Sequence, residues 1–278
     1  MLGENQNMSW EDESMKLGFI GTGNMASAMM GGIIKNNIVL AQDIIGADLF
    51  APSRDKVKET LGIQVTANNL EVVETSDVFV LSVKPQYYEA VINEIKDAVR
   101  EDQIVITIAP GKTLAWLEKK FGKAVKIVRT MPNTPAMVGA GMTAACRNQY
   151  VTDEDMAQAI AILEAFSVVE VIPENLMDVI PPVSGSSPAY VFVMIESMAD
   201  AAVSGGMPRA QAYRFAAQAV LGSAKMVLET GKHPAELKDM VCSPAGSTIE
   251  AIRVLDELGF RTAIFEAMKA CEEKSRSL

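Results

Sequence analysis

The chain has 278 residues, of which 49% are apolar, so it is long enough for two folded domains and too apolar to be disordered. Its formal net charge of −10, without a basic cluster, argues against nucleic acid or an anionic membrane as a partner. No apolar run reaches the roughly 18 to 20 residues of a membrane span. Cys146, Cys242 and Cys271 are scattered, which favours a reducing compartment and indicates neither a disulfide framework nor a metal site.

The first 14 residues are polar and acidic and lack the basic start and apolar stretch of a signal peptide. We therefore expect residues 1–14 to be a disordered extension or an upstream start, since the ordered pattern begins at Met15, and we expect the protein to be cytoplasmic. From Met15 onward, short β-branched runs alternate with helix patterns. The runs are KLGFI, DIIGAD, DVFVLSVKP, QIVITIAPG, KAVKIVRTMP and, last, VVEVI at 168–172. Continuous apolar runs of this kind are typical of strands buried on both faces of a parallel sheet.

After Glu174 the pattern changes to long helices rich in Ala and Met, with almost no strand signal. The sequence therefore predicts an α/β protein with two domains. Residues 15–174 are expected to form a Rossmann-type, doubly wound dinucleotide-binding domain. Residues 175–278 are expected to form an all-helical domain.

A glycine turn stands at the junction of the first predicted strand and helix. Gly21, Gly23 and Ala26 form a GxGxxA pattern, which is weak alone but specific between a strand and a helix in the first βαβ unit. In that pattern the first glycine makes the tight turn, the second lets the backbone approach a pyrophosphate, and the third small residue lets the helix pack closely. The helix N-terminus attracts the anion. The sequence predicts a bound dinucleotide here.

The end of the second strand leaves the choice of dinucleotide open. Asp48 stands where an acidic side chain binds a ribose 2′-hydroxyl and repels a 2′-phosphate. Ser53 and Arg54 follow closely, however, and could hold that phosphate, or Arg54 could be a solvated charge at a helix start. We expect NADPH, NADH or both to be used.

Three loops fall at the carboxyl ends of further predicted strands, where ligands of such sheets bind. They are SVKPQ (82–86), IAPG (108–111) and RTMPNTP (129–135), and the third contains Asn133. Each alone reads as an ordinary turn. Together they predict a wall that faces the nicotinamide, with Asn133 among the cofactor-binding residues.

The chain contains the motifs GFIGTGNMA, VKPQ, VRTMPNTPAMVGAGMTA, VSGSSPAYVF and HPAELKDMVCSPAGSTIEAI, in that order. By these motifs the sequence from Met15 to Leu278 resembles the pyrroline-5-carboxylate reductases, which catalyse the last step of proline biosynthesis. The resemblance implies reduction of 1-pyrroline-5-carboxylate to L-proline by NAD(P)H. It places cofactor contacts at Ile20, Gly21, Thr22, Gly23, Asn24, Met25, Asn69, Ser82, Val83, Lys84, Pro85, Ile108, Ala109 and Pro110.

The stretch CSPAGSTIEAI (242–252) reads as a tight polar elbow between two helices, and the resemblance places the substrate there, on Ser247 and Thr248. Ser247 and Glu250 have the spacing of a capping box. The amides from Gly246 onward would then bind the substrate carboxylate. Thr248 is the candidate catalytic residue, because its hydroxyl could meet the ring nitrogen. The alternative, that these hydroxyls only cap a helix, is the more usual role of such residues.

Other positions have predicted structural roles or depart from the commoner family pattern. Arg129 is expected to anchor backbone or a carboxylate, and His233 to pack or to cap a helix. Ser187 and Ala245 replace glycines, and Pro110 replaces an alanine. None of these changes removes the turn glycines or Thr248.

Two other classes of protein, a different dehydrogenase and a non-catalytic binding protein, could carry the same glycine turn. A β-hydroxyacid dehydrogenase shares this architecture but needs a lysine on the first helix after the domain boundary, and none occurs between Ser184 and Arg209. A non-catalytic dinucleotide-binding protein would keep the glycine turn and could only be distinguished by turnover.

The two long helical segments of the second half, SPAYVFVMIESMADAAVSGGM and AQAYRFAAQAVLGSAKMVL, are apolar on more than one face. This is more than helices covering one small core require, so we expect a dimer through these helices. The resemblance adds a larger ring of dimers as an open alternative.

Overall fold

The computed structural model describes residues 14–276, so the predicted extension lies outside the described residues except for Ser14. The chain divides into two compact units. Among the described residues, the N-terminal unit comprises 14–185 and 274–276, and the helical unit comprises Ser186–Glu273.

The N-terminal unit is built on one eight-stranded sheet with the order β3-β2-β1-β4-β5-β6-β7-β8. The strands are β1 Leu17–Ile20, β2 Ile44–Ala47, β3 Gln64–Thr66, β4 Val78–Leu81, β5 Ile104–Thr107, β6 Lys126–Met131, β7 Gly141–Arg147 and β8 Ser167–Val171. The helices of this unit are α1 Asn24–Lys35, α2 Ala51–Leu61, α3 Asn69–Thr75, α4 Tyr88–Ile95, α5 Leu114–Phe121 and α6 Asp153–Glu164.

Helices cover both faces of the sheet, which confirms the doubly wound α/β prediction. On one face Met29 and Met30 of α1 pack with Phe19 of β1, and on the other Ile92 of α4 packs with Ile20 of the same strand. Because successive strand side chains point to opposite faces, Leu17 and Phe19 fill one core and Ile20 the other.

The sheet is mixed rather than wholly parallel, which corrects the sequence prediction. β6 and β7 pair antiparallel, and β8 then pairs parallel to β7. The sequence analysis missed β7, whose GMTAACR run is rich in residues of low strand propensity, and the three-residue β3. Pairing with neighbouring strands, rather than local preference, forms both.

The division between the units falls after Gly185, whereas the sequence predicts it near residue 174. The chain from Glu174 to Gly185 belongs to the N-terminal unit, although it contains no strand and only short 3₁₀ and π-helical turns. Its side chains pair with the sheet: Arg129 of β6 binds the carboxylates of Glu174 and Asp178. These pairs also confirm the predicted anchoring role of Arg129.

The helical unit contains α7 Ser187–Ser204, α8 Arg209–Thr230, α9 Pro234–Val241 and α10 Ser247–Glu257, and α11 runs over Phe260–Arg276. The side chain of His233 accepts a hydrogen bond from the Ala235 amide and caps α9, as the sequence predicts. Several large apolar side chains of this unit are exposed within the single chain. Among them are Phe192 and Val193 on α7, Phe215 and Leu228 on α8, and Phe265 on α11.

Candidate dinucleotide-binding and substrate-binding sites

The turn between β1 and α1 needs glycine at its first position. Gly21 has φ +100°, and a Cβ there would lie 2.8 Å from the carbonyl carbon and oxygen of Ser82. Its N–H donates to the Ala47 carbonyl at 2.7 Å, and the Ser82 hydroxyl donates to the Gly21 carbonyl at 2.7 Å. The turn is thus packed between the carboxyl ends of β2 and β4, and any side chain would displace it.

Gly23, the second glycine of the turn, has open space around it, whereas Gly21 is closely packed. Gly23 is the N-cap residue of α1, and a Cβ built there would meet nothing within 4 Å. The first-turn N–H groups of α1 have no partners within the helix and face anions favourably. Ala26, one turn further, is buried against the sheet as predicted. Open space beside free amides at this turn fits a pyrophosphate.

Asp48 ties the glycine turn to the end of β2. Its Oδ2 accepts from the Thr22 amide at 2.9 Å and from the Thr22 hydroxyl at 3.3 Å, and its Oδ1 accepts from the Phe50 amide at 2.9 Å. The Arg54 guanidinium donates to the Asp48 carbonyl oxygen. A carboxylate offers about four acceptor positions. One acceptor position of the Asp48 carboxylate is therefore left for a ligand. Most N–H groups of the Arg54 guanidinium take no part in its bond to the Asp48 carbonyl oxygen.

The loops after β4 and β5 are held together by Tyr88, which the sequence analysis missed. Its buried hydroxyl donates to the Leu81 carbonyl and accepts from the Ile108 amide at 3.3 Å. Burial raises the pKa of Tyr88 above its ordinary value, so it remains a neutral donor. The bond brings the predicted cofactor segments Ser82–Pro85 and Ile108–Pro110 to one edge of the sheet. Lys84 is exposed there.

The side-chain amides of two residues that are predicted to bind the cofactor form hydrogen bonds within the chain. Asn69, buried at the start of α3, donates to Glu94 at 2.9 Å. Asn133 donates to the Ser184 carbonyl at 2.9 Å and accepts from the Met142 amide at 2.8 Å. Their contact with the cofactor stays a prediction. No local sequence pattern signals these partners, since they lie 9 to 51 residues away.

The elbow between α9 and α10 forms as predicted, but for a different reason. Ala245, not Gly246, takes the left-handed conformation, with φ +57°. Gly246 has φ −78°, and a Cβ there would lie 2.4 Å from Ser243 Oγ and 3.0 Å from the Ser243 carbonyl oxygen. Its amide donates to that same carbonyl at 3.1 Å. Glycine is needed at 246 because the backbone folds back closely onto Ser243.

The predicted capping box of Ser247 and Glu250 is wrong. Gly246 is the N-cap residue of α10 and Ser247 is already helical, and no side chain of the described residues caps the helix. The Glu250 carboxylate instead pairs with Arg253, which lowers the pKa of Glu250 below its ordinary value. The ion pair lies three residues along the helix, where i,i+3 side chains meet. Within residues 14–276 the first amides of α10 therefore have no side-chain acceptor and can donate to a ligand.

Thr248 occupies the second position of α10 and is half-buried. Within residues 14–276 its hydroxyl has no hydrogen-bond partner. The structure therefore excludes a capping role for Thr248 in α10. A free hydroxyl stands beside free helix amides, an arrangement that can bind an anion and orient one further polar atom.

Within residues 14–276, no group of three or more His, Cys, Asp or Glu side chains is placed to hold a metal ion. No helix in that range combines the length and the apolar content that crossing a membrane requires.

Sequence comparisons match both halves of the chain. A family model described as pyrroline-5-carboxylate reductase dimerisation matches residues 174–278, and one described as NADP oxidoreductase, coenzyme F420-dependent, matches residues 16–111. Pyrroline-5-carboxylate reductase of Escherichia coli (strain K12) is 53% identical, with 95% of this chain and 98% of that protein covered. The reductase of Methanosarcina acetivorans is 42% identical, with 96% and 98% covered.

A solved structure agrees with these relatives. The Plasmodium falciparum pyrroline carboxylate reductase with NADP bound superposes with a TM-score of 0.87 at 32% identity, over 95% of this chain and 97% of that chain. A prephenate dehydrogenase of Aquifex aeolicus, 16% identical with a TM-score of 0.53, shares the fold.

Proposed function

Because this chain belongs to the pyrroline-5-carboxylate reductase family, we propose that it reduces 1-pyrroline-5-carboxylate to L-proline, the last step of proline biosynthesis. The family membership confirms the resemblance seen in the sequence. A bound NADPH or NADH supplies the hydride for the ring C=N bond. The rest of the chemistry falls to the chain's own residues, which must bind the dinucleotide, hold the substrate carboxylate and support protonation at the ring nitrogen.

The residues around the glycine turn fit the dinucleotide. The open space at Gly23 and the free first-turn amides of α1 support a pyrophosphate site. Asp48, held by Thr22 and Phe50, has one acceptor position left for a ribose hydroxyl, and Arg54 is fixed close by. Lys84 is exposed after β4, where we expect it to reach the cofactor. These contacts support use of either NADPH or NADH.

The elbow supplies the substrate-binding groups. We assign the first amides of α10, at Ser247 and Thr248, to the substrate carboxylate, with Gly246 keeping the backbone in place. The Thr248 hydroxyl then contacts the ring nitrogen, which gains a proton when hydride reaches the adjacent carbon. A positioned hydroxyl can hold the protonated imine or relay a proton from water.

The observation that carries the proposal is the Thr248 hydroxyl, which has no partner within residues 14–276 and lies at the start of α10, in a chain 53% identical to a pyrroline-5-carboxylate reductase. The test is steady-state oxidation of NADPH and NADH by the purified protein with 1-pyrroline-5-carboxylate and, separately, with β-hydroxyacids. We expect turnover with the first only, because α7 carries no lysine. Dinucleotide binding without turnover would instead support a non-catalytic binding protein.

A substitution of Asp48 tests whether its carboxylate lies at the ribose of the cofactor. Replacing Asp48 by serine removes a carboxylate that we place at the ribose, where it repels a 2′-phosphate. We expect the ratio of kcat/KM for NADPH to that for NADH to rise by about 10-fold, equivalent to about 1.4 kcal/mol. Asp55→Ser removes an exposed acid of α2 and should leave the ratio unchanged. An unchanged ratio in the Asp48 variant would show that Asp48 is not at the ribose.

The chain carries a family dimerisation domain over residues 174–278, and we propose that its helices α7 and α8 form the dimer. Phe192 on α7 and Phe215 on α8 are each 62% exposed in the single chain, which is costly for large apolar side chains left in water. A ring of several dimers is a further proposal that rests on the family resemblance alone.

Glutamate at both positions should prevent that association. We expect the wild-type protein to sediment as a dimer or larger assembly at micromolar concentration, and the Phe192→Glu, Phe215→Glu double variant to sediment as a monomer, because two charges would be buried without partners. Val168→Glu is the control, since Val168 on β8 is 64% exposed in the other unit. A monomeric wild-type protein would contradict the proposal.

We propose a reducing compartment, the cytoplasm, from the cysteines. All three are free thiols. Burial raises the pKa of the Cys146 thiol to about 11, so this thiol stays protonated and unreactive at neutral pH.

A further inference from the structure

The carboxyl ends of β3, β2, β1 and β4 are joined to one another by direct backbone hydrogen bonds. In each, the residue that follows a strand donates its amide to the last carbonyl of the neighbouring strand. The pairs are Asp48 with Thr66 at 3.3 Å, Gly21 with Ala47 at 2.7 Å and Ser82 with Ile20 at 2.9 Å. Because Leu81 aligns with Thr107, the same register makes Ile108 and Leu81 the next pair, between β5 and β4.

The Tyr88 hydroxyl stands between the members of this last pair. It accepts from the Ile108 amide at 3.3 Å and donates to the Leu81 carbonyl. A hydroxyl can donate and accept at the same time, so it replaces the direct backbone bond by a bridge. The inserted oxygen keeps the amide and the carbonyl apart. The Tyr88 hydroxyl therefore sets the separation of β4 and β5 at the edge where both strands end.

Tyr88 is itself held firmly by its surroundings. It is the first residue of α4 and is 0% exposed, in the same buried core as Leu81, Ile92 and Ala109. A side chain that is fully buried cannot touch a dinucleotide bound at the edge of the sheet. Any influence of Tyr88 on such a ligand must pass through the backbone that its hydroxyl holds.

The backbone held by the bridge belongs to the two loops that are predicted to face the nicotinamide. Ser82–Pro85 follows directly after Leu81, and Ile108–Pro110 begins with the bridged amide. The first loop is also fixed to the glycine turn, because the Ser82 hydroxyl donates to the Gly21 carbonyl at 2.7 Å. With one end fixed in this way, the bridge determines how far the second loop lies from the first.

We propose that Tyr88 is a positioning residue for the nicotinamide half of the dinucleotide, and that its hydroxyl sets the spacing of the loops Ser82–Pro85 and Ile108–Pro110. The inference rests on the proposed function, which supplies the dinucleotide. All of the contacts that carry it lie within the N-terminal unit. The adenosine half is assigned to the end of β2, at Asp48 and Arg54, and should not depend on Tyr88.

The test is Tyr88→Phe, which keeps the buried ring but leaves the Ile108 amide and the Leu81 carbonyl without the bridging hydroxyl. We expect the Kd of NADPH, titrated without substrate, to rise by about 10-fold. The Kd of adenosine 2′,5′-bisphosphate, which carries only the adenosine half, should stay within about two-fold of wild type. Deuterium exchange of the Ile108 amide should become faster. A general loss of stability would not separate the two ligands.

Two control variants accompany this test. Tyr150→Phe makes the same chemical change at a tyrosine that is 41% exposed, in the turn before α6, and should leave both Kd values unchanged. Asn148→Ala removes buried hydrogen bonds at the amino end of β6, where Asn148 donates to the Val125 carbonyl at 2.9 Å and to Glu118 at 3.0 Å. This variant should lower the melting temperature without changing the Kd of NADPH.

The wild-type protein supplies a second measurement, which decides the matter if Tyr88→Phe does not fold. Coupling between two equilibria is reciprocal, so a bridge that favours NADPH must itself be favoured by NADPH. We expect saturating NADPH to slow exchange of the Ile108 amide by about 10-fold, and adenosine 2′,5′-bisphosphate to leave it unchanged. Exchange of Ile108 at the rate of an unprotected amide, or no response to NADPH, would overturn the inference.

The folded variants can also contradict the proposal. An unchanged NADPH Kd in Tyr88→Phe would remove the positioning role, and an equal rise for adenosine 2′,5′-bisphosphate would show an effect on the whole site. An equal rise of the NADPH Kd in Asn148→Ala would mark the effect as general destabilisation. If the wild-type protein does not turn over 1-pyrroline-5-carboxylate but the two Kd values separate as expected, the proposed reduction fails while the role of Tyr88 stands.

Discussion

Replacing Thr248 by alanine is expected to lower kcat/KM for 1-pyrroline-5-carboxylate by roughly 10- to 1,000-fold, the scale on which loss of one positioned donor acts. The reason is that the Thr248 hydroxyl, free of partners in the described chain, is assigned to the ring nitrogen. The melting temperature should change little, because Gly246 and not a side chain caps α10. The measurement is steady-state kinetics on folded variants, with NADPH affinity determined in parallel and expected to stay near wild type.

Two companion variants sharpen this experiment. Thr248→Ser keeps the oxygen and should keep much of the activity. Thr262→Ala removes an exposed threonine from the first turn of α11, in the same unit, and should leave kcat/KM unchanged. An alanine variant at 248 that turns over like the wild type would show that the hydroxyl takes no part in the reaction.

Replacing Gly23 by valine is expected to weaken NADPH binding by about 100-fold, or about 2.7 kcal/mol. The position has open space around a built Cβ and φ −68°, which valine adopts without strain, so the fold should tolerate the change. The added methyl groups would occupy the space assigned to the pyrophosphate. Titration of the protein with NADPH measures the Kd, and thermal unfolding measures whether the fold tolerates the change.

Gly31→Val is the control, because Gly31 lies on the same helix and a Cβ there meets only the Leu61 side chain, at 3.8 Å. It should leave the NADPH Kd unchanged. If Gly23→Val binds NADPH as tightly as the wild type, the dinucleotide does not lie on this turn. Gly21 cannot serve as the test, since a side chain there would strike the backbone of Ser82 and disturb the fold itself.

The parts of the site that local sequence predicts are those that local geometry controls. The glycine turn is an example: a tight turn, an open position and a close helix contact each demand a small residue at a fixed spacing. Gly21, Gly23 and Ala26 show these three conditions in the structure. The doubly wound fold was predictable for the same reason, because buried strands need apolar residues at every position.

The parts that sequence did not predict depend on partners distant along the chain. β7 forms from residues of low strand propensity because β6 and β8 pair with it on both sides. Asn133 binds a carbonyl 51 residues away, which no local pattern signals. The elbow differs, because both alternatives there are local: the Glu250 carboxylate could complete a capping box with Ser247 or pair with Arg253, and the ion pair with Arg253 forms.

The central claim, that this chain transfers a hydride to the ring C=N bond of 1-pyrroline-5-carboxylate, is tested most directly by isotope transfer. The wild-type protein is incubated with 1-pyrroline-5-carboxylate and NADPH that carries deuterium at both hydrogen positions of the nicotinamide C4, and the product is analysed by mass spectrometry and NMR. We predict one deuterium at C5 of L-proline for each dinucleotide oxidised. Oxidation of the dinucleotide without deuterated proline, or no oxidation at all, would contradict the claim.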